Sequence, residues 1–254
     1  MLEIEGLSKF FGGLEAVSEV DLVLNKGEKL GLIGPNGAGK TTFFNLVSGV
    51  ITPTRGRIIF EGRNITGKSP HDIARKGIVR TFQGINIFPD FTVLENIVLS
   101  CHLKPGIGLV ETVFRTAGSR RKEKAILSRS EEILDLVQLD GLAHVAAKNL
   151  AHGHKRILGI AIALAAEPKL LLLDEPLGGM NAHEVSETMA LVDKLWQRGI
   201  TILLIEHNMR ATMNLCQRIV VLNFGRKIAE GAPEEIKRDQ GVIRAYLGAG
   251  GHAA

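Results

Sequence analysis

The densest chemistry in this chain is the run Gly34-Pro35-Asn36-Gly37-Ala38-Gly39-Lys40-Thr41, which fits G-x-x-x-x-G-K-[ST] at every fixed position. At ordinary glycine and lysine frequencies such a match arises by chance in on the order of one chain in a hundred of this length, so context has to decide. A short apolar stretch at 29–33 precedes the run, and an apolar helical stretch to about Val47 follows it. Strand, glycine-rich loop and helix start are what phosphate binding needs. The glycines let backbone N–H groups wrap the phosphates, and the helix N-terminus adds positive potential. The expected cradle is Gly34, Asn36, Gly37, Ala38 and Gly39, with Lys40, Thr41 and Thr42 at the helix start. Lys40 would contact the β and γ phosphates of a nucleotide, and the Thr41 hydroxyl would ligate Mg²⁺.

Phosphate binding becomes hydrolysis only with a metal-coordinating carboxylate and a base. Four leucines at 170–173 run directly into Asp174-Glu175-Pro176. A buried apolar strand of that kind delivers Asp174 to the C-terminal edge of a parallel sheet, where open α/β sheets bind ligands. Asp174 would hold Mg²⁺, and Glu175 would act as general base on the attacking water.

The elements that must position these groups alternate. Strand-like stretches at 17–24, 29–33, 57–60, 78–82, 170–173, 200–205 and 219–222 are separated by helical segments. That pattern predicts an α/β chain with a mostly parallel sheet and crossover helices. From 84 to 166 the strand signals nearly vanish, and Ile126, Ile133, Leu134 and Val137 keep helical spacing, which predicts a helical subdomain inserted into the sheet domain. Within it, 103–124 contains Pro105, Gly106, Gly108 and Gly118 and then Arg120-Arg121-Lys122, the composition of an exposed excursion ending in a solvated helix start. Pro233 opens a short helix in a tail that ends in AGAGGHAA, expected to fray.

Composition sets the outer limits. The 254 residues carry 45% apolar and 23% charged residues, the profile of a globular chain with a conventional core. The 31 Lys and Arg against 27 Asp and Glu leave a net charge of only +4, which gives no reason to expect nucleic acid. Cys101 and Cys216 are far apart and match no metal spacing, so both are expected as free buried thiols in a reducing compartment. The acidic start MLEIEGLSKFF does not read as a secretory signal. The longest apolar run, at 157–166, is well short of the ~18 residues of a membrane span. If the protein works at a membrane, another chain spans it.

With both phosphate-site motifs in place, the chain resembles the ATP-binding subunits of ABC transporters over residues 2–247. The resemblance implies a P-loop NTPase fold, with a RecA-like, mostly parallel core at 1–83 and 167–230, a small antiparallel β subdomain, a helical subdomain at 84–166 and a C-terminal tail at 231–254. It also implies ATP and Mg²⁺ as ligands. Thr81-Phe82-Gln83 is similar to the Q-loop, where Gln83 would touch Mg²⁺ and the lytic water. Ile205-Glu206-His207 is similar to the switch, where His207 would contact the γ phosphate. Residues 178–181 stand at the D-loop position, and Phe11 matches the aromatic that stacks on adenine.

The signature departs from the family pattern. Where the family has LSGGQ, this chain has Leu150-Ala151-His152-Gly153-His154. In the family this segment reaches across a dimer to the γ phosphate bound by the partner. Ala151 has no hydroxyl to offer, so the expectation is that the helix start after Gly153 remains and that the imidazole of His152 or His154 donates the missing hydrogen bond.

The run ARKGIVRTFQGINIFPDFTVLENI, the IEHNM switch and the closing VIRAYLG resemble the LivG-type subunits of branched-chain amino acid importers. Subunits serving urea and short-amide uptake are closely similar, and a soluble ABC ATPase without a transporter is the alternative class. The resemblance implies integral membrane permease subunits, a second ATP-binding subunit in a homo- or heterodimer, and a periplasmic or extracellular substrate-binding protein as an indirect partner. It places the chain peripherally on the cytoplasmic face of the inner membrane.

Overall fold

The computed structural model describes residues 1–81, 87–102 and 117–249. Its framework is two sheets. Strands β1 (Leu2–Phe11), β2 (Leu14–Leu24), β4 (Arg55–Phe60) and β5 (Arg63–Asn64) form a four-stranded antiparallel sheet in the order β2-β1-β4-β5. Strands β3 (Lys29–Ile33), β6 (Ile78–Arg80), β7 (Leu170–Asp174), β8 (Thr201–Ile205), β9 (Arg218–Asn223) and β10 (Arg226–Gly231) form a six-stranded sheet in the order β10-β9-β3-β8-β7-β6. All its pairings are parallel except β10 with β9, a hairpin.

The short strands β3, β7 and β8 are buried at every position, because both faces of the parallel sheet are covered. Leu170 and Leu172 join one core, with Phe43 and Phe44 of helix α1 (Lys40–Val47) and Ile4, Ile58 and Phe60 of the antiparallel sheet. Leu171 and Leu173 join the other, with Leu158 and Ala161 of the long helix after the signature and Val192 and Leu195 of the helix after the D-loop segment. The two-residue side-chain period of a strand divides one leucine run between two cores. Each buried leucine contributes roughly 1.5–3 kcal/mol relative to an exposed one.

Eight further α-helices follow α1 among the described residues. Helix α2 (Pro70–Lys76) starts with Pro70 behind the Ser69 cap, whose hydroxyl accepts from the Asp72 amide, and stops at Gly77 in the left-handed region at φ 103. Helices α3 (Val93–His102), α4 (Ala117–Leu136) and α5 (His152–Ala165) make up the helical insertion, whose described residues hold only an isolated bridge between Thr92 and Ala146. Helix α6 (Ala182–Gln197) opens with a complete capping box between Asn181 and Glu184. Helix α7 (Met209–Leu215) follows the switch, and α8 (Pro233–Arg238) and α9 (Gln240–Ala249) follow β10.

The strands read from the sequence are present, with β2 starting three residues earlier than the 17–24 stretch and β6 described as far as Arg80. β1, β5 and β10 are additions. Of the expected excursion at 103–124, residues 103–116 lie outside the described set, and Arg120-Arg121-Lys122 fall inside α4. Residues 233–238 and 240–249 are helical, with Ile236 and Val242 buried against the body, and 250–254 lie outside the described set.

Cys101 and Cys216 are both free and buried. Burial pushes the Cys216 thiol up to about 12, with Lys29 pulling it back. The unfolded thiol ionises near pH 9 and the folded one near 12, so folding is opposed as pH rises through that window. Between pH 9 and 12 this group should cost the wild-type chain about 1.4 kcal/mol of stability per pH unit, a slope missing from Cys216→Ala, whose cavity cost is the same at every pH. Urea titrations of both proteins at pH 8 and 11 read the difference; an unchanged slope in the variant excludes Cys216 as the source.

Candidate nucleotide-binding and catalytic site

The glycine-rich loop joins β3 to α1 at the point where both sheets meet. Gly34, Gly37 and Gly39 have φ of 153°, 77° and 100°. A Cβ on Gly34 would lie 2.2 Å from the Leu222 carbonyl oxygen of β9, and one on Gly39 would lie 2.4 Å from the Ala16 carbonyl oxygen of β2. Only glycine allows this approach, so the loop is held against both sheets. Lys40 is buried, and its ammonium donates to the Gly34 and Pro35 carbonyls at 2.7 and 3.0 Å, inside the loop. Burial pushes the Lys40 ammonium below its usual range, and nearby Glu175 pulls it back.

A cleft of about 550 Å³ opens over this loop, lined by Phe11, Leu14, Ala16, the 36–42 segment and His207. It brings the exposed Phe11 ring, the phosphate loop and the switch histidine to one cavity, although they come from widely separated parts of the sequence. The cradle fits a nucleotide's phosphates, with amides and a buried cation at one end and an aromatic face at the other.

Asp174 ends β7 on the face that carries Leu170 and Leu172, which is the α1 side. Its carboxylate is buried, and Oδ2 accepts from Arg80 Nη2 at 2.6 Å. The same guanidinium donates through Nη1 to Asn45 Oδ1 at 2.6 Å and to Ser48 Oγ at 3.2 Å on α1, and lies over the Phe44 ring at 5.5 Å. The Asp174 amide donates to Thr81 Oγ1 at 3.2 Å. Arg80 thus joins β6, β7 and α1. With Oδ2 taken by Arg80, Asp174 Oδ1 and the hydroxyl of Thr41, exposed at the start of α1, are the oxygens that could hold a metal, and such an all-oxygen set would suit a hard cation such as Mg²⁺. Gln83 lies outside the described residues.

Glu175 follows at φ 49°, a left-handed backbone unusual for a glutamate and roughly 1–2 kcal/mol unfavourable. Its amide donates to the Ile205 carbonyl at 2.9 Å, which pins the turn to the end of β8. His207 Nε2 lies 2.7 Å from Glu175 Oε1. A carboxylate can only accept, so Nε2 carries the ring proton in this pair.

The signature segment starts α5 beside the D-loop. His152 Nε2 donates to the Gly178 carbonyl at 3.2 Å, and its ring packs on Gly179. Gly153 is buried, and a Cβ there would meet Glu184 Oε1 at 2.5 Å. Ala151 is exposed, and His154 lines a separate cavity of about 210 Å³ with Glu187 and Lys194 of α6. The two signature histidines therefore face different neighbours.

Three further residues reach the site. Arg80 could have been flagged as a cation inside an apolar strand; Glu206, buried next to the switch histidine, as a carboxylate ending another. Tyr246 of α9 carried no such signal. Burial pushes its phenol up, and the nearby Gly34 backbone pulls it back. The C-terminal helix thereby touches the first glycine of the loop.

Similarity to known proteins agrees with this geometry. Residues 17–178 match the family described as ABC transporter, and 226–252 match that described as branched-chain amino acid ATP-binding cassette transporter. The high-affinity branched-chain amino acid transport ATP-binding protein LivG of Salmonella typhimurium is 43% identical over 249 residues, covering 98% of each chain. The chain belongs to the ABC transporter ATP-binding family. A crystal structure of a nucleotide-free ATP-binding cassette from an ABC transporter matches this cassette with a TM-score of 0.85 at 33% identity, over 97% of this chain and 98% of that one. A dimeric bacterial ABC transporter cassette matches with a TM-score of 0.77 at 25% identity, over 92% and 99% respectively. The P-loop NTPase fold expected from the sequence is the fold of this cassette.

Removing one member of a buried ion pair strands the other. Arg80→Met should lower the unfolding free energy by roughly 3–5 kcal/mol. Urea denaturation of the isolated chain measures it, and a loss under about 1 kcal/mol would show that Asp174 does not depend on this guanidinium.

Proposed function

We propose that this cassette binds ATP with Mg²⁺ in the cleft over Lys40 and hydrolyses it to drive a branched-chain amino acid importer. The observation that carries the reading is the convergence of Phe11, the glycine loop with Lys40, and His207 on one cleft, with His207 bonded to Glu175. Phe11 stacks on the base. The loop amides and α1 start hold the phosphates, and Lys40 trades its bonds to Gly34 and Pro35 for the β and γ phosphate oxygens. Asp174, Thr41 and Gln83 would hold Mg²⁺, which would supply charge neutralisation at the phosphates. Glu175, oriented by His207, takes a proton from water as the water oxygen bonds to the γ phosphorus and the bond to the ADP oxygen breaks.

The 151–154 segment completes the nucleotide site of a second ATP-binding subunit, the same chain or a paralogue. The backbone amides of Ala151, His152, Gly153 and His154 at the α5 start meet its γ phosphate; the His152 imidazole donates there only by leaving the Gly178 carbonyl, and the His154 side chain stays on the α6 side. Among the described residues no helix is long and apolar enough to cross a membrane, which supports a peripheral place on permease subunits at the cytoplasmic face. An extracytoplasmic binding protein supplies the substrate. The family match at 226–252 and the LivG similarity support branched-chain amino acids over urea or amides as cargo.

Lys40→Ala should weaken Mg-ATP binding roughly 10- to 100-fold by calorimetry, from loss of a charge-assisted contact. Glu175→Gln should keep binding and lose about 10²–10⁴-fold in kcat. Undiminished turnover in the Gln variant would remove Glu175 from the base role. With the chain assembled in liposomes beside its permease and binding protein, ATP-dependent uptake of labelled leucine, and not of urea, is the expected cargo result.

A further inference from the structure

Glu206 is a buried carboxylate for which the reaction above has no use. It sits at the end of β8, 3% exposed, between the buried strand and the switch. Its two oxygens are both occupied, and by backbone amides only. Oε1 accepts from Leu177 N–H at 2.7 Å. Oε2 accepts from His207 N–H at 3.0 Å and from Asn208 N–H at 3.3 Å.

The placement of those three amides is the informative part. Leu177 lies two residues after Glu175, in the turn whose Gly178 amide donates to the Glu175 carbonyl at 3.2 Å. His207 and Asn208 belong to the switch. One carboxylate therefore ties together the two backbone segments whose side chains, Glu175 and His207, meet at 2.7 Å. On its other side the Leu177 turn is held by His152 of the signature helix through the Gly178 carbonyl. Contacts run without a gap from the start of α5, through Gly178, Leu177 and Glu206, to the His207–Glu175 pair.

We propose that Glu206 is a positioning residue for hydrolysis: it fixes the switch turn against the 175–178 turn so that His207 and Glu175 hold their hydrogen bond. The chemistry requires a carboxylate. All three partners are donors, and they approach both oxygens, so an amide in the same place could satisfy one side only and would turn its own N–H₂ toward an N–H on the other. Burial works against the charge and raises the Glu206 carboxyl above its usual range, with the three amides opposing that rise and Glu175 adding to it. A bare structural plug at this position would be better filled by an apolar side chain.

The proposal rests on the reading of Glu175 and His207 as the hydrolytic pair, and the test separates the two. In the full chain without nucleotide, ring ¹⁵N and Nε2-proton NMR signals of His207 report its bond to the Glu175 carboxylate. Glu206→Gln, the isosteric variant, should lose that signature to the same extent as Glu175→Gln, and the double variant should show no further change. An equal added shift in both backgrounds would mean that Glu206 acts on His207 through space, and would overturn the proposal. In the assembled transporter, Glu206→Gln should lower kcat at least about 10-fold with KM for Mg-ATP within about 2-fold. Wild-type His207 signals, or a wild-type kcat measured well below the variant's unfolding midpoint, would reduce Glu206 to a brace. Failure of Mg-ATP to bind the wild-type chain would end the ATPase reading and leave the His207 result standing.

Discussion

Strand β7 is buried on both faces, and because its side chains alternate between two separate cores, the position of every acid beyond it is set by packing. Leu170 and Leu172 lock the strand to α1 and the antiparallel sheet; Leu171 and Leu173 lock it to the helical side. A slip of one residue would exchange the two sets and turn Asp174 away from α1. The ionic contacts then refine what the leucines impose. Arg80 holds one Asp174 oxygen and two groups on α1, so the acid at the end of β7 and the helix after the glycine loop are tied together.

The glycine loop is constrained in the same way from the other side. Its first glycine presses on β9 and its last on β2, which makes the cradle a seam between the two sheets. The left-handed Glu175 is the strained point of the seam's far edge. Strain of that kind persists only where surroundings over-determine it. Here the Ile205 carbonyl and the Gly178 amide hold the Glu175 backbone, and His207 holds its side chain.

Much of this was legible in the residues. The phosphate loop and the acidic strand end are local patterns, each a run of fewer than ten residues whose chemistry is self-contained, and both stand where the pattern placed them. The helical insertion was legible from the loss of strand signals. What escaped was contact at long range. β10, Arg226–Gly231, is an edge strand of mostly exposed residues and offers no apolar alternation to read. Arg80 and Asp174 are 94 residues apart, and Tyr246 is far from Gly34, so neither pairing leaves a spacing in the chain. The signature was recognised as altered, but that its two histidines face separate neighbours, the D-loop and α6, depends on how α5 packs.

The strand order β9-β3-β8 has a consequence for biosynthesis. Ile33 and the loop that follows emerge from the ribosome early, yet the strands on either side of β3 begin only at Thr201 and Arg218. At typical translation speeds that interval, roughly 170 residues, is on the order of 10–30 s. Throughout it the strand that leads into the glycine loop lacks both of its sheet neighbours, and its unpaired edges favour aggregation until the last fifth of the chain appears.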